Sequence, residues 1–474
     1  MRILRHHLHA SHASTASFRA ASLAEYVVAH AGTTYFLLGA SAIDLDLNDD
    51  ESIKKAASTI AYDMVKYYTG NRTGDVPGNL PDPYYWWEAG AMFGALIDYW
   101  YYTGDASYND ITMQALLHQA GSNGDFMPLN QTRTEGNDDQ SFWAFSAMAA
   151  AELNFPNPPE DKPQWLAMVQ AVFNEQAARW NTEACGGGLK WQIFTFNNGY
   201  DYRNTIANGC FFNIASRLAR YTGNQTYADW AVKSWNWVRR IGLISDSYQA
   251  FDGTDDTNNC TTINHVMWTY NNGVFLHGAA NMYNYTNGSA EWKEHINGLL
   301  NSANIFFSTN ESSKDVMYEV ACELINDCQT DQFSFKAYLS RWMTATTQLA
   351  PFTQDIIMTR LGASARAAAA QCTGGDTGTQ CGMKWTLGHW DGTTGVGQQM
   401  SALEVVQGNL VKRVKGPVTS AHGGTSKGNA AAGTETGDTP IHWDPITTGD
   451  KVGAAFVTTA LLVSIMGCTY IMVS

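Results

Sequence analysis

A chain of 474 residues, 45% of them hydrophobic, can bury a large core and is not a disordered protein. Its formal charge of −15 argues against nucleic acid and anionic lipid surfaces as partners. Charged residues make up only 15%, while aromatics reach 12% and glycines number 42. That balance suits neutral polar ligands such as sugars, and equally a large helical core.

Residues 1–42 carry Arg2 and Arg5, then the apolar stretch Tyr35–Leu38 and the tripeptide Ala40-Ser41-Ala42, a signal-peptide pattern ending at an A-x-A cleavage site. The next run, Asp44-Leu-Asp-Leu-Asn48, imitates the start of a calcium loop but lacks the Gly at position six and the Glu at twelve. From 43 to 412 no linker and no long β-strand run appears. What recurs is an apolar helix, a short turn and a second, amphipathic helix. Trp86–Tyr102, Thr205–Tyr221 and Trp268–Tyr285 are apolar nearly all round, as a fully buried helix must be, whereas Tyr227–Ile241 and Glu291–Phe307 keep one charged face for solvent. The turns between them repeat: Tyr102-Thr-Gly-Asp105, Tyr221-Thr-Gly-Asn224 and Tyr285-Thr-Asn-Gly288, with Gly at or near the helix end and a capping residue before the next helix. About a dozen helices in buried and solvated sets predict an all-α (α/α)6 toroid of inner and outer helices. The loops entering its inner helices converge on one end, where Tyr84-Tyr-Trp-Trp-Glu88, Gly136-Asn-Asp-Asp-Gln140 and Trp268-Thr-Tyr-Asn-Asn-Gly273 would meet.

From 413 to 451 the composition turns to Gly, Thr, Ala and Ser and reads as a disordered stalk. The cluster Asn429–Gly433, a polar spacer and the charge-free apolar tail 452–474 make a GPI signal whose tail is removed. Secretion fits the cysteines. Cys468 leaves with the tail; short loops favour Cys322–Cys328 and Cys372–Cys381, Cys210 falls inside a buried helix as a free thiol, and Cys185 is left for Cys260. Sequons at Asn71, Asn130, Asn224, Asn259, Asn284, Asn287 and Asn310 agree with the secretory route. No spacing resembles a metal site, and no cofactor motif is present.

The segment Glu135-Gly-Asn-Asp-Asp-Gln-Ser-Phe-Trp143 heads the apolar helix Phe142–Leu153. Glycoside hydrolysis needs two carboxylates, and neighbours whose Cα atoms stand about 3.8 Å apart can reach the short carboxyl spacing of a retaining enzyme. The helix N-terminus would hold one as carboxylate while like-charge repulsion keeps the other protonated. On spacing alone, a plain helix start, with Asp138 as cap and Asp139 merely at its first position, is the better reading.

Pro83–Met92, Gly136–Trp143, Gly187-Gly-Leu-Lys-Trp-Gln192 and Tyr200–Asn208 together resemble glycoside hydrolase family 76, the endo-α-1,6-mannanases, and most nearly its fungal GPI-anchored wall members. The resemblance runs from about residue 48 to 410. It implies an (α/α)6 toroid and retaining chemistry, with Asp138 as nucleophile and Asp139 as general acid/base. It further implies α-1,6-mannoside substrates of the GPI core or mannan, and transfer to a β-glucan acceptor that attaches GPI-proteins to the wall. Trp86, Trp87 and Trp191 are candidates for stacking on mannose, and Asn137, Gln192, Asp201, Tyr202 and Asn208 for bonding its hydroxyls. The loop Phe251–Asp256 reads as a solvated turn from which Asp252 could reach a sugar; His265 and His277 read as structural. The expected protein is a monomer at the outer face of the plasma membrane and in the wall. The rival reading is a non-catalytic mannan-binding wall protein using the same groove.

Overall fold

The computed structural model describes residues 42–434 and 448–473; the expected signal peptide and the region around 435–447 lie outside the described residues. Twelve helices alternate in role along the chain. The outer set is α1 (Asp50–Val65), α3 (Asn109–Gln119), α5 (Trp165–Ala178), α7 (Gln225–Ile241), α9 (Ala290–Ser302) and α11 (Gln354–Ala370). The inner set is α2 (Trp86–Thr103), α4 (Asn137–Glu152), α6 (Thr205–Thr222), α8 (Thr269–Tyr285), α10 (Phe335–Leu349) and α12 (Val396–Gln407). Each inner helix packs on the next, and α12 packs back on α2, so the inner ring closes. This is the (α/α)6 toroid expected. α6 shows why the sets differ: from Thr205 to Tyr221 it is buried throughout, while α7 buries only one face and exposes charged positions such as Asp229 and Lys233. The predicted turn between them ends α6 on Gly223, whose φ of +72° a side chain would strain, and Asn224 caps α7 by accepting from Thr226 N.

All six inner helices run the same way, so the long loops before them gather at one end, called the mouth below. A three-stranded antiparallel sheet, β1 (Tyr202–Asn204), β2 (Gly253–Asp255) and β3 (Ile263–Asn264), lies among these loops. It corrects the reading of 251–256 as a solvated turn: Gly253 and Thr254 are buried, and Asp256 pairs with Lys190 at 2.6 Å and with the buried Arg203 at 3.3 Å. Cys185–Cys260, Cys322–Cys328 and Cys372–Cys381 form disulfides across the same loops, and Cys210 is a buried free thiol.

The expected stalk is also corrected, over residues 414–434, which strap the outside of the toroid. Val418 N donates to Glu152 O at 2.8 Å and Ser420 N to Tyr221 O at 2.9 Å, at the end opposite the mouth. The strap then climbs α5: Ser426 Oγ accepts from Leu166 N, Asn429 N donates to Gln170 Oε1, and Asn174 Nδ2 donates to the carbonyls of Ala430 and Ala432. Composition hides this because polar side chains on α5 hold the backbone of a segment that needs no apolar residues of its own. Ending the chain at Arg413 should lower the melting temperature by several degrees, since each lost hydrogen bond is worth about 1 kcal/mol and Arg220 loses its carbonyl partners at Pro417 and Val418. An unchanged thermal melt would show the strap to be passive. Beyond it, α13 (Thr448–Val473) is solvent-exposed where described, and its stretch Lys451–Thr469 is long and apolar enough to cross a membrane, with mean hydropathy 1.9.

Candidate active site

The mouth is floored by the first turn of α4. Asp138 and Asp139 are its second and third residues, and the helix is capped by Gly136, whose N donates to Asp139 Oδ2 at 2.7 Å. The capping role thus falls to Asp139. Asp138 Oδ1 accepts from Asp139 N at 3.1 Å, and its Oδ2 accepts from Asn204 Nδ2 at 2.9 Å. Gly136 permits this crowding: a Cβ there would stand 2.4 Å from Asp138 Oδ1 and 3.3 Å from Asp139 Oδ2, so these two oxygens lie under about 6 Å apart. Burial, then the neighbouring Asp139, pushes the Asp138 carboxyl up from its ordinary value; burial lifts Asp139 to about 6. Two such groups release protons as a pair. Asp138 accepts two donors and Asp139 one, from Gly136 N, so the hydrogen bonds favour Asp138 as the anion of the pair although burial pushes its carboxyl well up.

Each acid stands on a braced helix end. Arg179 Nη1 donates to Asn137 Oδ1 at 2.9 Å and to Gln140 Oε1 at 2.7 Å, while its Nη2 meets Glu175 Oε2 at 2.6 Å. Asn137 Nδ2 donates to Lys190 O and its N to Trp191 O. Both ends of the Asn137 amide are therefore used within the protein, which makes it a brace and corrects its place among the sugar contacts. Asn208 is corrected for the same reason: fully buried, it clamps the 187–192 loop to α6 through Leu189 N, Leu189 O and Asn204 O. Asp201 points away, exposed and paired with Lys190 at 3.3 Å. Gln192 is buried, bridges to Gly136 and accepts from Asn197 Nδ2. Trp191, half-buried, packs against Gly199.

Two carboxylates held by indoles flank the pair. Trp87 Nε1 donates to Asp331 Oδ1 at 3.2 Å, and the Trp87 ring packs on Phe142 of α4 at 4.7 Å. Trp268 Nε1 donates to Asp252 Oδ1 at 2.9 Å, and Asp252 Oδ2 accepts from Tyr202 Oη at 2.5 Å and Asn264 Nδ2 at 3.1 Å. Trp86 is tied to Gln119 and lies against the buried Trp143. Tyr270, stacked face to face on Phe335 at 3.8 Å, has its phenol held well up by burial and then by the carboxylates of Asp252, Asp138 and Asp331. Glu88 and Glu135 lie buried beneath the site with no hydrogen-bond partner on either oxygen, and burial pushes both carboxyls well up, which favours their neutral forms. His265 packs on Phe251, and His277 is buried beside Asn213, as structural residues do. Sequence reading missed Asn204, Asp331 and Tyr270. Asn204 stands inside a matched segment, but only its position 66 residues from Asp138 and its cap of α6 reveal its use.

A closed helical toroid with paired acids at its mouth defines a class of carbohydrate-cleaving enzymes. The family model for glycosyl hydrolase family 76 matches residues 52–421. The chain is 47% identical to mannan endo-1,6-alpha-mannosidase DCW1 of Saccharomyces cerevisiae, over 94% of this chain and 98% of that one. It is 44% identical to mannan endo-1,6-alpha-mannosidase DFG5 of the same yeast, over 91% and 94%. A crystal structure of Dfg5 from Chaetomium thermophilum in complex with glucosamine superposes with a TM-score of 0.80 at 44% identity, covering 84% of this chain and 99% of that one. An inactive variant of the α-1,6-mannanase of Salegentibacter, with two adjacent aspartates replaced by asparagine and α-1,6-mannotriose bound, shares the fold at 18% identity, with a TM-score of 0.60 over 76% of this chain and 99% of that one. The chain belongs to glycosyl hydrolase family 76 and is a glycosidase.

Proposed function

We propose that the protein is a retaining, endo-acting α-1,6-mannosidase with Asp138 as nucleophile and Asp139 as acid/base. The observation that carries this is the geometry of the pair: two carboxyls at one helix N-terminus, closer than the roughly 6.5–9.5 Å of inverting enzymes, one with two donors on its anion. The activity named for its fungal relatives supports the substrate class. Asp138 attacks the anomeric carbon while Asp139 gives its proton to the departing glycosidic oxygen, so a glycosyl ester forms and the leaving sugar is neutral. Asp139, now a carboxylate, takes a proton from water or a sugar hydroxyl, whose oxygen displaces Asp138. With a β-glucan hydroxyl as acceptor the second step is a transfer, joining a GPI-core mannose to the wall; with water it is hydrolysis. Trp87 and Trp191 would stack on the sugar, and Asp252, Asp331 and Tyr270 would take its hydroxyls. The chain is placed at the outer face of the plasma membrane by a GPI anchor, for which the apolar α13 stretch is the support.

Incubating the protein with α-1,6-mannotetraose should release internal-cleavage products, and adding a β-1,3-glucan oligosaccharide should yield a mixed product. Intact tetraose after prolonged incubation counts against the enzyme and for a mannan-binding protein. Asn204→Ser should keep the α6 cap yet remove the donor to Asp138. Its turnover should fall about 10–100-fold, the loss of one bond to a charged group at roughly 1.5–3 kcal/mol. The acidic limb of its pH profile should move upward, because the nucleophile loses a donor that favours its anion. A profile that keeps its position would make Asn204 purely structural.

A further inference from the structure

Four of the ten residues from Trp191 to Tyr200 are aromatic, and none of the ten is charged. All four aromatics stand outside the hydrophobic core of the described residues, so core building does not explain them. Trp191 is spent on Gly199, whose φ is +86° and where a Cβ would collide with the indole. Tyr200 lies under the Lys190 ammonium at 4.0 Å. Phe194 and Phe196 are left. Their rings stack on each other, centroids 5.5 Å apart and 13° from parallel, and Phe196 is 49% exposed.

The loop holds these two rings in register with Asp139. Gly136 pairs antiparallel with Gln192, flanked by bonds from Asn137 N to Trp191 O at 2.8 Å and from Ile193 N to Glu135 O at 3.4 Å. The same Gly136 donates its N to Asp139 Oδ2. Asn197 closes the loop: its N donates to Phe194 O, and its Nδ2 to Arg133 O and Gln192 Oε1. Phe194 follows Gln192 by two residues and Asp139 follows Gly136 by three, so their Cα atoms lie less than about 20 Å apart, a few sugar units. A surface held this firmly orders little when a ligand arrives, which favours binding.

Sugar stereochemistry selects the occupant. A β-linked glucose unit carries every substituent equatorially and turns only C–H bonds to either side. An α-linked mannose turns an axial oxygen to each side, O1 to one and O2 to the other. Two stacked phenyls with no charged neighbour in their loop therefore suit the glucose unit, while the carboxylates of the mouth suit mannose hydroxyls. A protein partner would bury about 800 Å² of each surface, far more than two rings supply. We infer that Phe194 and Phe196 form the acceptor platform, on which a β-linked glucose chain lies as its hydroxyl meets Asp139. That hydroxyl gives its proton to the Asp139 carboxylate, and its oxygen displaces Asp138 from the anomeric carbon. The inference rests on the transfer reading above and adds the surface that tells acceptor from donor.

The test gives the protein α-1,6-mannotetraose with rising amounts of a β-1,3-glucan oligosaccharide, and counts mixed product and hydrolysis product separately. Phe196→Ala, alone and with Phe194→Ala, should raise the acceptor concentration for half-maximal transfer about tenfold or more, as expected where each ring covers about 50 Å² of sugar C–H surface. Phe196→Tyr should keep the wild-type value. Hydrolysis without acceptor reads the catalytic pair and should change far less. Equal losses of transfer and hydrolysis, or transfer that saturates as in wild type, overturn the inference. Binding separates it from the reading on which it rests. Saturation-transfer NMR should show the glucan C–H protons in contact with Asp138→Asn protein, and Phe194→Ala with Phe196→Ala should remove that signal. If wild type makes no mixed product yet this signal depends on the two rings, the transfer reading falls and the platform stands as a glucan site. A glucan signal that survives the loss of both rings overturns the platform.

Discussion

Asp138→Asn should abolish turnover by several orders of magnitude, and Asp139→Asn should do nearly the same on substrates with a poor leaving group. The two differ in what they leave behind. Without Asp138 no ester can form, whatever the leaving group. Without Asp139, Asp138 still attacks a substrate such as an aryl mannoside, whose departing oxygen needs no proton, and the ester then accumulates because nothing activates the acceptor. The double substitution should cost little more than the first alone, because the pair acts as a unit. Wild-type activity should be bell-shaped in pH and decline as pH rises through about 6, where buried Asp139 gives up the proton the first step needs. Sugar binding should survive in both variants. Measured kcat within tenfold of wild type for Asp138→Asn would remove it from the reaction.

The largest effect on stability is expected at Arg341 of α10. Its guanidinium meets Asp98 of α2 at 3.0 Å and Glu404 of α12 at 2.7 Å, and donates to Ala91 O at 3.1 Å, so one cation ties three inner helices. Burial raises Glu404 to about 8 even beside Arg341. At neutral pH the triad thus balances one positive charge against a single shared carboxylate charge. Arg341→Met leaves that charge buried and unmatched, at a cost of about 3–5 kcal/mol. The sign of the pH effect follows from linkage. Removing the cation raises the folded carboxyl pKa further above its unfolded value of about 4, so the folded state binds more protons and stability falls as pH rises across that window. The deficit should be large at pH 8 and shrink toward pH 5. Denaturant unfolding at the two pH values decides it; equal deficits would mean that lost packing, not charge, dominates.

The ring was legible because alternating fully apolar and amphipathic helices have one closed solution, and Tyr221-Thr-Gly-Asn224 marks the inner-to-outer turn in residues alone. Asp138 and Asp139 were legible as a pair, but not as more than a cap until matched segments elsewhere joined them. What stayed hidden is contact made across long stretches of chain. Asn204 reads as an N-cap, and its second use appears only when α6 is laid beside α4. Asp331 stands before α10 with no motif, and matters because Trp87 reaches it from α2, two helices round the ring. Asn137 and Asn208 failed in the opposite sense: their segments belong to the site, but their amides are consumed holding it. The strap at 414–434 was misread because its ordering comes from Gln170 and Asn174 of α5 rather than from its own composition.

The central claim is that Asp138 forms the covalent bond of a retaining α-1,6-mannosidase. Proton NMR of an α-1,6-mannooligosaccharide during its cleavage reads this most directly, since it follows the anomeric proton of the newly released reducing end before mutarotation. The account predicts the α anomer first, retained from the substrate. The β anomer appearing first would mean direct attack by water, and would contradict a glycosyl ester on Asp138.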